Sequence, residues 1–201
     1  LYEQGALNIR LTYYPSGNIE TQEVWGFEDE DAPNNPLNGH HVIFYYEPDP
    51  ISDKNYGRTI RTEVLDVAEP YYDEIAYITG DPDDRRIQSK VRKRLSDDSV
   101  MEEWFYDASG NLETYEVWNY NDPNDPGNPL NGHHVKFYYE PDPIPNEDYG
   151  RVIRIDVLDV VEPYYIEIIY VSPDPADETI AVKTKRDLAT DAIIEVTTFY
   201  I

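Results

Sequence analysis

Two acidic loops hold the side chains best suited to binding a cation. One reads Glu28-Asp29-Glu30-Asp31-Ala32-Pro33-Asn34-Asn35, the other Asn121-Asp122-Pro123-Asn124-Asp125-Pro126-Gly127-Asn128. Calcium prefers carboxylate and amide oxygens. Asp29, Asp31, Asp122, Asn124 and Asp125 are therefore the candidate ligands, and calcium the candidate cofactor. The second loop departs from EF-hand order because Pro126 takes the place of the third ligand. Asp, Asn and Pro are also the residues of plain solvated turns.

Histidine forms the second constellation. The 4 histidines fall in two pairs, His40-His41 and His133-His134. Adjacent side chains on a regular strand face opposite ways, so a pair cannot close on one ion without a bulge. Stacked units would let His40 approach His133 and form a copper, nickel or zinc site. The plain alternative is a polar strand start after an Asn-Gly turn. Trp25 and Trp118, with Trp104 and the Phe-Tyr-Tyr triplets, offer flat faces for stacking on a glycan. The same rings suit the core and cross-strand pairs of a sheet that must bury one face with few leucines.

Catalysis finds little footing. The chain has no G-x-S-x-G, H-E-x-x-H, P-loop or G-x-G-x-x-G pattern. A carboxylate pair for glycoside hydrolysis cannot be picked out among 41 acidic residues. A site duplicated in both halves would also be unusual for an enzyme, so the chain is read as a non-enzyme. Charge narrows the field further: 41 Asp+Glu against 16 Lys+Arg give a net charge of -25. Such a surface repels nucleic acid and anionic lipid. With no cysteine there are no disulfides and no thiolate sites. No apolar run approaches the roughly 20 residues that span a bilayer. The chain opens Leu1-Tyr2-Glu3-Gln4 without Met or a signal-peptide pattern, as expected of a processed protein or a piece of a longer one.

The elements that position these groups are set by a repeat. Gly17-Asn18-Ile19-Glu20-Thr21-Gln22-Glu23-Val24-Trp25 returns 93 residues later as Gly110-Asn111-Leu112-Glu113-Thr114-Tyr115-Glu116-Val117-Trp118. Phe44-Tyr45-Tyr46-Glu47-Pro48-Asp49-Pro50-Ile51 returns unchanged from Phe137 to Ile144, and Tyr56-Gly57-Arg58 matches Tyr149-Gly150-Arg151. From Gly17 to Asp81 the register holds without a gap and is roughly two-thirds identical. Residues 192–201 resemble the run from Ser99 to Tyr106, so the chain ends at the phase at which it began.

Tyr, Ile, Val and Thr suit a pleated sheet, and the 16 prolines lie between the apolar runs. In the second unit, strands are expected near 99–107, 111–120, 133–140, 150–160, 164–172 and 179–188, joined by short turns that favour antiparallel neighbours. The run Tyr164 to Val171 is apolar on both faces, which predicts a strand covered on both sides. The basic run Arg85 to Arg94 predicts a strand paired with acidic neighbours rather than a nucleic-acid patch.

Phe105-Tyr106-Asp107-Ala108-Ser109-Gly110-Asn111-Leu112 resembles the tyrosine-aspartate (YD, or Rhs-type) repeats of large bacterial surface and toxin-delivery proteins. Tyr13-Tyr14-Pro15-Ser16-Gly17-Asn18-Ile19 is similar, with Tyr-Pro where the motif has Asp. The resemblance covers one hairpin in each 93-residue unit. It implies a long, exported, structural antiparallel ribbon and carries over no catalytic residue.

The expected fold is all-β: an antiparallel meander of hairpins in two tandem 93-residue repeats, units 1–98 and 99–201, with the closing strand 192–201 starting a third unit phase. A curled sheet, propeller-like blades and two β-sandwich-like domains are the alternatives for its closure. The expected role is a stalk, spacer or filament subunit of an extracellular or cell-surface protein. Its partners would be identical or neighbouring repeat units, joined through the complementary ends at 192–201 and 6–14. A secreted module binding glycan or calcium is the rival. Neither nucleic-acid binding nor membrane insertion is expected.

Overall fold

The computed structural model describes residues 8–141 and 149–199. Residues 6 and 7 of one expected end and 200 and 201 of the other lie outside the described residues, as do 142–144 of the repeated Glu-Pro-Asp-Pro-Ile run. Among the described residues thirteen strands form an antiparallel meander that does not close into a barrel, and no helix occurs. The chain divides into two units, Leu1–Val100 and Met101–Ile201. None of the described residues form a helix long and apolar enough to cross a membrane.

Unit 1 holds β1 (Asn8–Tyr13), β2 (Ile19–Trp25), β3 (Val42–Tyr46), β4 (Thr59–Val64), β5 (Tyr71–Tyr77) and β6 (Ile87–Arg94). Unit 2 holds β7 (Val100–Tyr106), β8 (Leu112–Val117), β9 (Val135–Tyr139), β10 (Val152–Val157), β11 (Tyr164–Tyr170), β12 (Ile180–Asp187) and β13 (Ile193–Thr198). Val100, the first residue of β7, belongs to unit 1 by this division. The six strands expected in the second unit are all present, each trimmed by a residue or more at one or both ends.

The tightest part of each core is a row of valines set by strand register. Val24 pairs with Val42 and Val42 with Val64; Val117 pairs with Val135 and Val135 with Val157. Val42, Val64, Val135 and Val157 are fully buried. One sheet face needs a cover, and the long connection after β8 supplies it by laying Tyr120 and Leu130 against Phe137. Phe27 meets Phe44 in unit 1 at 5.3 Å between ring centroids. Each connection opens on a residue in the left-handed region, Gly26 (φ 66) in one unit and Asn119 (φ 68) in the other. Gly and Asn are the residue types that tolerate that conformation best.

Tyr164–Tyr170 has one buried residue on each face, Ile168 at 8% and Tyr165 at 7% exposed, but Ile169, on the Tyr165 face, is 58% exposed. Arg154 covers the Tyr165 ring at 4.0 Å, so the second face of β11 is dry at Tyr165 and wet at Ile169. The basic strand β6 behaves as expected. Arg92 grips buried Asp73 with two hydrogen bonds of 2.8 and 3.1 Å, and Lys93 reaches Glu74 at 2.6 Å. Ile166 replaces Asp73 in unit 2, where Lys185, at the position of Arg92, stands over the Tyr164 ring at 3.7 Å. The cation–π contact is common to both copies, since Arg92 lies 4.1 Å over the equivalent Tyr71 ring; the pair with Asp73 is what the second copy lacks.

Between β3 and β4 the chain crosses itself closely at Gly57. A Cβ there would lie 2.3 Å from the Glu47 carbonyl oxygen and 2.6 Å from that of Asp49. Both are backbone atoms, so no rotamer change relieves the clash. Gly57→Ala should cost about 3 kcal/mol, the upper range for overpacking, read as a shifted midpoint in urea denaturation. A shift under about 0.5 kcal/mol, typical of an unconstrained surface site, would refute the close approach.

Candidate functional site

Each unit carries a buried arginine at the end of its repeated Tyr-Gly-Arg run. Arg58 and Arg151 are each 4% exposed. Arg58 Nε and Nη2 donate to the two carboxylate oxygens of Glu47 at 2.7 and 2.9 Å. Its Nη1 donates to the carbonyls of Thr79, Asp81 and Asp84 at 3.0, 2.8 and 2.7 Å. Arg151 makes the same set with Glu140 and with the carbonyls of Ser172, Asp174 and Asp177. Tyr77 and Tyr170 lie 4.2 Å from the guanidinium centres, and their hydroxyls donate to the Thr59 and Val152 carbonyls.

A planar fork matched to a carboxylate is what arginine supplies and lysine does not. The Glu47 hydrogen bonds hold the Arg58 pKa above its ordinary value against the opposing effect of burial, and Glu140 does the same for Arg151. With its donors aimed at protein acceptors, each guanidinium is a clip binding the β5–β6 or β11–β12 connection to the sheet, not an open anion site.

A groove lies beside each clip, on different sides of it in the two units. The one in unit 1 is about 230 Å³ and lined by Ile51, Tyr56, Tyr77, Arg85 and Ile87. That in unit 2 is about 370 Å³ and lined by Glu140, Arg151 and residues 168–173. Arg85 and Glu178 occupy the same repeat position with opposite charge.

The histidines sit where each connection re-enters the sheet, and each pair splits between two carboxylates. His40 Nδ1 lies 3.0 Å from Asp66 and His41 Nε2 3.0 Å from Glu23. His133 meets Asp159 at 3.0 Å and His134 meets Glu116 at 2.8 Å. His41 stacks on Trp25 at 4.7 Å and His134 on Trp118 at 4.5 Å. Burial raises the Asp66 pKa, but the His41 backbone amide and the His40 ring bring it below the usual carboxylate value; Asp159 is lowered likewise by His134 and His133. Trp25 is 39% exposed and already stacked on His41, so its ring is only partly open to a sugar.

The acidic loops use their carboxylates as turn acceptors. Asp29 Oδ1 receives the Asp31 and Ala32 amides and its Oδ2 the Asn35 side chain. Asp122 receives the Asn124 and Asp125 amides and the Asn128 side chain, and Asp125 the Gly127 amide. Asn38 and Asn131 lock the two loops by accepting the Asp29 and Asp122 amides at 2.7 Å. Among the described residues, no group of three or more His, Asp or Glu side chains could hold a metal ion.

The arginine clip went unassigned in the sequence. Its signal was the recurrence of Tyr-Gly-Arg with a glutamate eleven residues upstream. Set against known protein families and curated proteins, the chain matches no family model and no curated protein.

Proposed function

We propose that this chain is a structural segment of an extracellular or cell-surface tandem-repeat protein, serving as a stalk, spacer or filament element and not as an enzyme. One observation carries the reading: the contacts that hold the fold recur at the same repeat positions in both units. The Arg58 and Arg151 clips keep the same five acceptors on four repeat positions, and the Trp–His–Glu sets keep theirs. Duplication that preserves scaffolding suits a role in which unit number sets length. The charge of -25 suits a surface that stays soluble and repels its neighbours.

Small-angle scattering tests it. Two copies of the chain fused in tandem should have a maximum dimension about twice that of one, as end-to-end addition requires. Growth by only about a quarter, as for a compact body of doubled mass, would overturn the stalk reading.

A further inference from the structure

Each long connection closes on an Asn-Gly pair, Asn38-Gly39 in unit 1 and Asn131-Gly132 in unit 2, and the sequence contains no other. Geometry demands both residues. Gly39 and Gly132 each sit at φ 83, in the left-handed region that glycine enters without steric cost. Their amides donate to the Phe27 and Tyr120 carbonyls at 2.7 Å, and the His40 and His133 carbonyls accept the Phe27 and Tyr120 amides at 2.9 and 2.8 Å. Asn38 Oδ1 accepts the Asp29 amide at 2.7 Å while Nδ2 donates to the Ala32 and Pro33 carbonyls at 3.1 and 3.3 Å. Asn131 accepts the Asp122 amide at 2.7 Å and donates to the Asp125 carbonyl at 3.0 Å. Each lock needs a donor and an acceptor on one short side chain, and an ionised aspartate offers acceptors alone.

Asn-Gly is also the dipeptide best disposed to lose its side-chain amide, because a residue without Cβ hinders its own backbone nitrogen least. The glycine nitrogen gives its proton to base and attacks Cγ of the asparagine. A bond from that nitrogen to Cγ forms, the Cγ–Nδ2 bond breaks, and ammonia leaves with a proton from water. Water then opens the resulting succinimide at either carbonyl. Opening at Cγ leaves aspartate; opening at the main-chain carbonyl leaves isoaspartate, whose backbone runs through the side chain and is longer by a methylene. Amide and water become acid and ammonia, and no other reagent is needed.

We propose that Asn38 and Asn131 are deamidation sites shielded by the closed connection: each reacts only when its connection lifts from the sheet, and the product cannot lock again. In the closed state the groups that must meet are engaged elsewhere. Carbonyls of Phe27 and Tyr120 hold the glycine amide protons, and the asparagine side chains are fixed through both oxygen and nitrogen. Burial is not the shield, since both glycines are exposed and both asparagines only half-buried, within reach of water. After reaction, aspartate sets a carboxylate oxygen against the Ala32 or Asp125 carbonyl, where Nδ2 had donated. Isoaspartate also moves the glycine amide out of line with Phe27 or Tyr120. In unit 2 the altered residue directly follows Leu130, which is 8% exposed and belongs to the core that the connection covers. An opening long enough for ring closure therefore leaves that core uncovered permanently, and the modification records it.

Both pairs lie in the same run, Asn-Pro-Leu-Asn-Gly-His-His-Val, so in the unfolded chain they should react alike. The unaltered chain is aged in mildly alkaline buffer with and without denaturing urea, and peptide mapping by mass spectrometry follows the change from amide to acid at each asparagine. Conversion should proceed equally at both sites in urea. It should be slower by about tenfold or more at each site in the native chain, the factor that an opening free energy of about 1.4 kcal/mol gives. Equal rates with and without urea at either site would overturn the shielding. Chains partly converted in urea are then refolded by dilution, and the native fraction should be depleted of converted chains. Asn131→Asp, made directly, should lower the urea midpoint of unit 2. Converted chains that refold with the unaltered midpoint, or an Asn131→Asp variant that keeps it, would overturn the latch. Neither measurement depends on the stalk reading, which the scattering of the fused chain tests separately.

Discussion

Arg58→Met will destabilise unit 1 by about 3–5 kcal/mol, the range for breaking a buried ion pair by removing one partner. Two groups lose their donor at once. Glu47 is left with a charge and no guanidinium, and three carbonyls of the β5–β6 connection lose Nη1. Each buried acceptor left unmet costs about 1–3 kcal/mol, and the methionine cannot answer any of them. Arg58 is 4% exposed, so solvent screens little of this. Arg58→Lys keeps the charge but not the fork, and should fall between Met and the unaltered protein. Arg151→Met should do the same to unit 2. Trp25 is the single tryptophan of unit 1, so fluorescence in a W104F/W118F background reports that unit alone. A loss under about 1 kcal/mol, the size of a surface pair, would show that the clip is ornamental.

The clip also marks where reading a sequence stops. The strands were legible because period-two patterns, β-branched residues and proline-bounded turns are local. The glutamate and arginine of the clip were visible as repeated letters. Their purpose was not, because three of the five acceptors are backbone carbonyls, which leave no trace in residue type. The histidines show the same division. Strand alternation already said that His40 and His41 face opposite ways, and they do. Their partners come from the turn after β4 and from β2, and that depends on which strands lie side by side.

Coverage of the sheet was the least legible feature. The pattern of Tyr164–Tyr170 looks apolar throughout, and only the neighbours that each residue meets decide that Tyr165 is 7% exposed while Ile169, on the same face, is 58% exposed. A loop of Asn, Asp, Pro and Gly gives no periodic sign that one leucine within it will be 8% exposed. The same loops show what composition leaves unsaid: Asp29 and Asp122 are oxygen acceptors, and the structure places backbone amides of their own loops on them.

Alkali should unfold this protein sooner than neutral pH would suggest, and among the raised tyrosines two carry the largest shifts. Burial pushes Tyr46 and Tyr139 up to about 12, with neighbouring tyrosines adding to it. In the unfolded chain both titrate near 10, the ordinary phenol value. The native state therefore holds these protons more tightly than the unfolded state does. Their contribution is complete below about pH 10 and drains away as pH rises through about 12, since stability falls with pH wherever the native state binds more protons. At about 1.4 kcal/mol per pKa unit, and allowing for the partial exposure of Tyr139, each ring contributes about 2 kcal/mol. Tyr46 donates to Gln22 at 3.1 Å, so Tyr46→Phe should lose about 1 kcal/mol at neutral pH, the net worth of one hydrogen bond. It should nevertheless fall less steeply in alkali, because a phenyl ring has no proton to give up. Adding Tyr139→Phe should flatten the profile further. General repulsion from the charge of -25 bears equally on all variants, so the difference between them isolates the phenols. Urea midpoints compared at about pH 9 and about pH 11.5 measure it directly. Identical alkaline slopes for the unaltered protein and the double phenylalanine variant would mean that neither ring keeps its proton in the folded state.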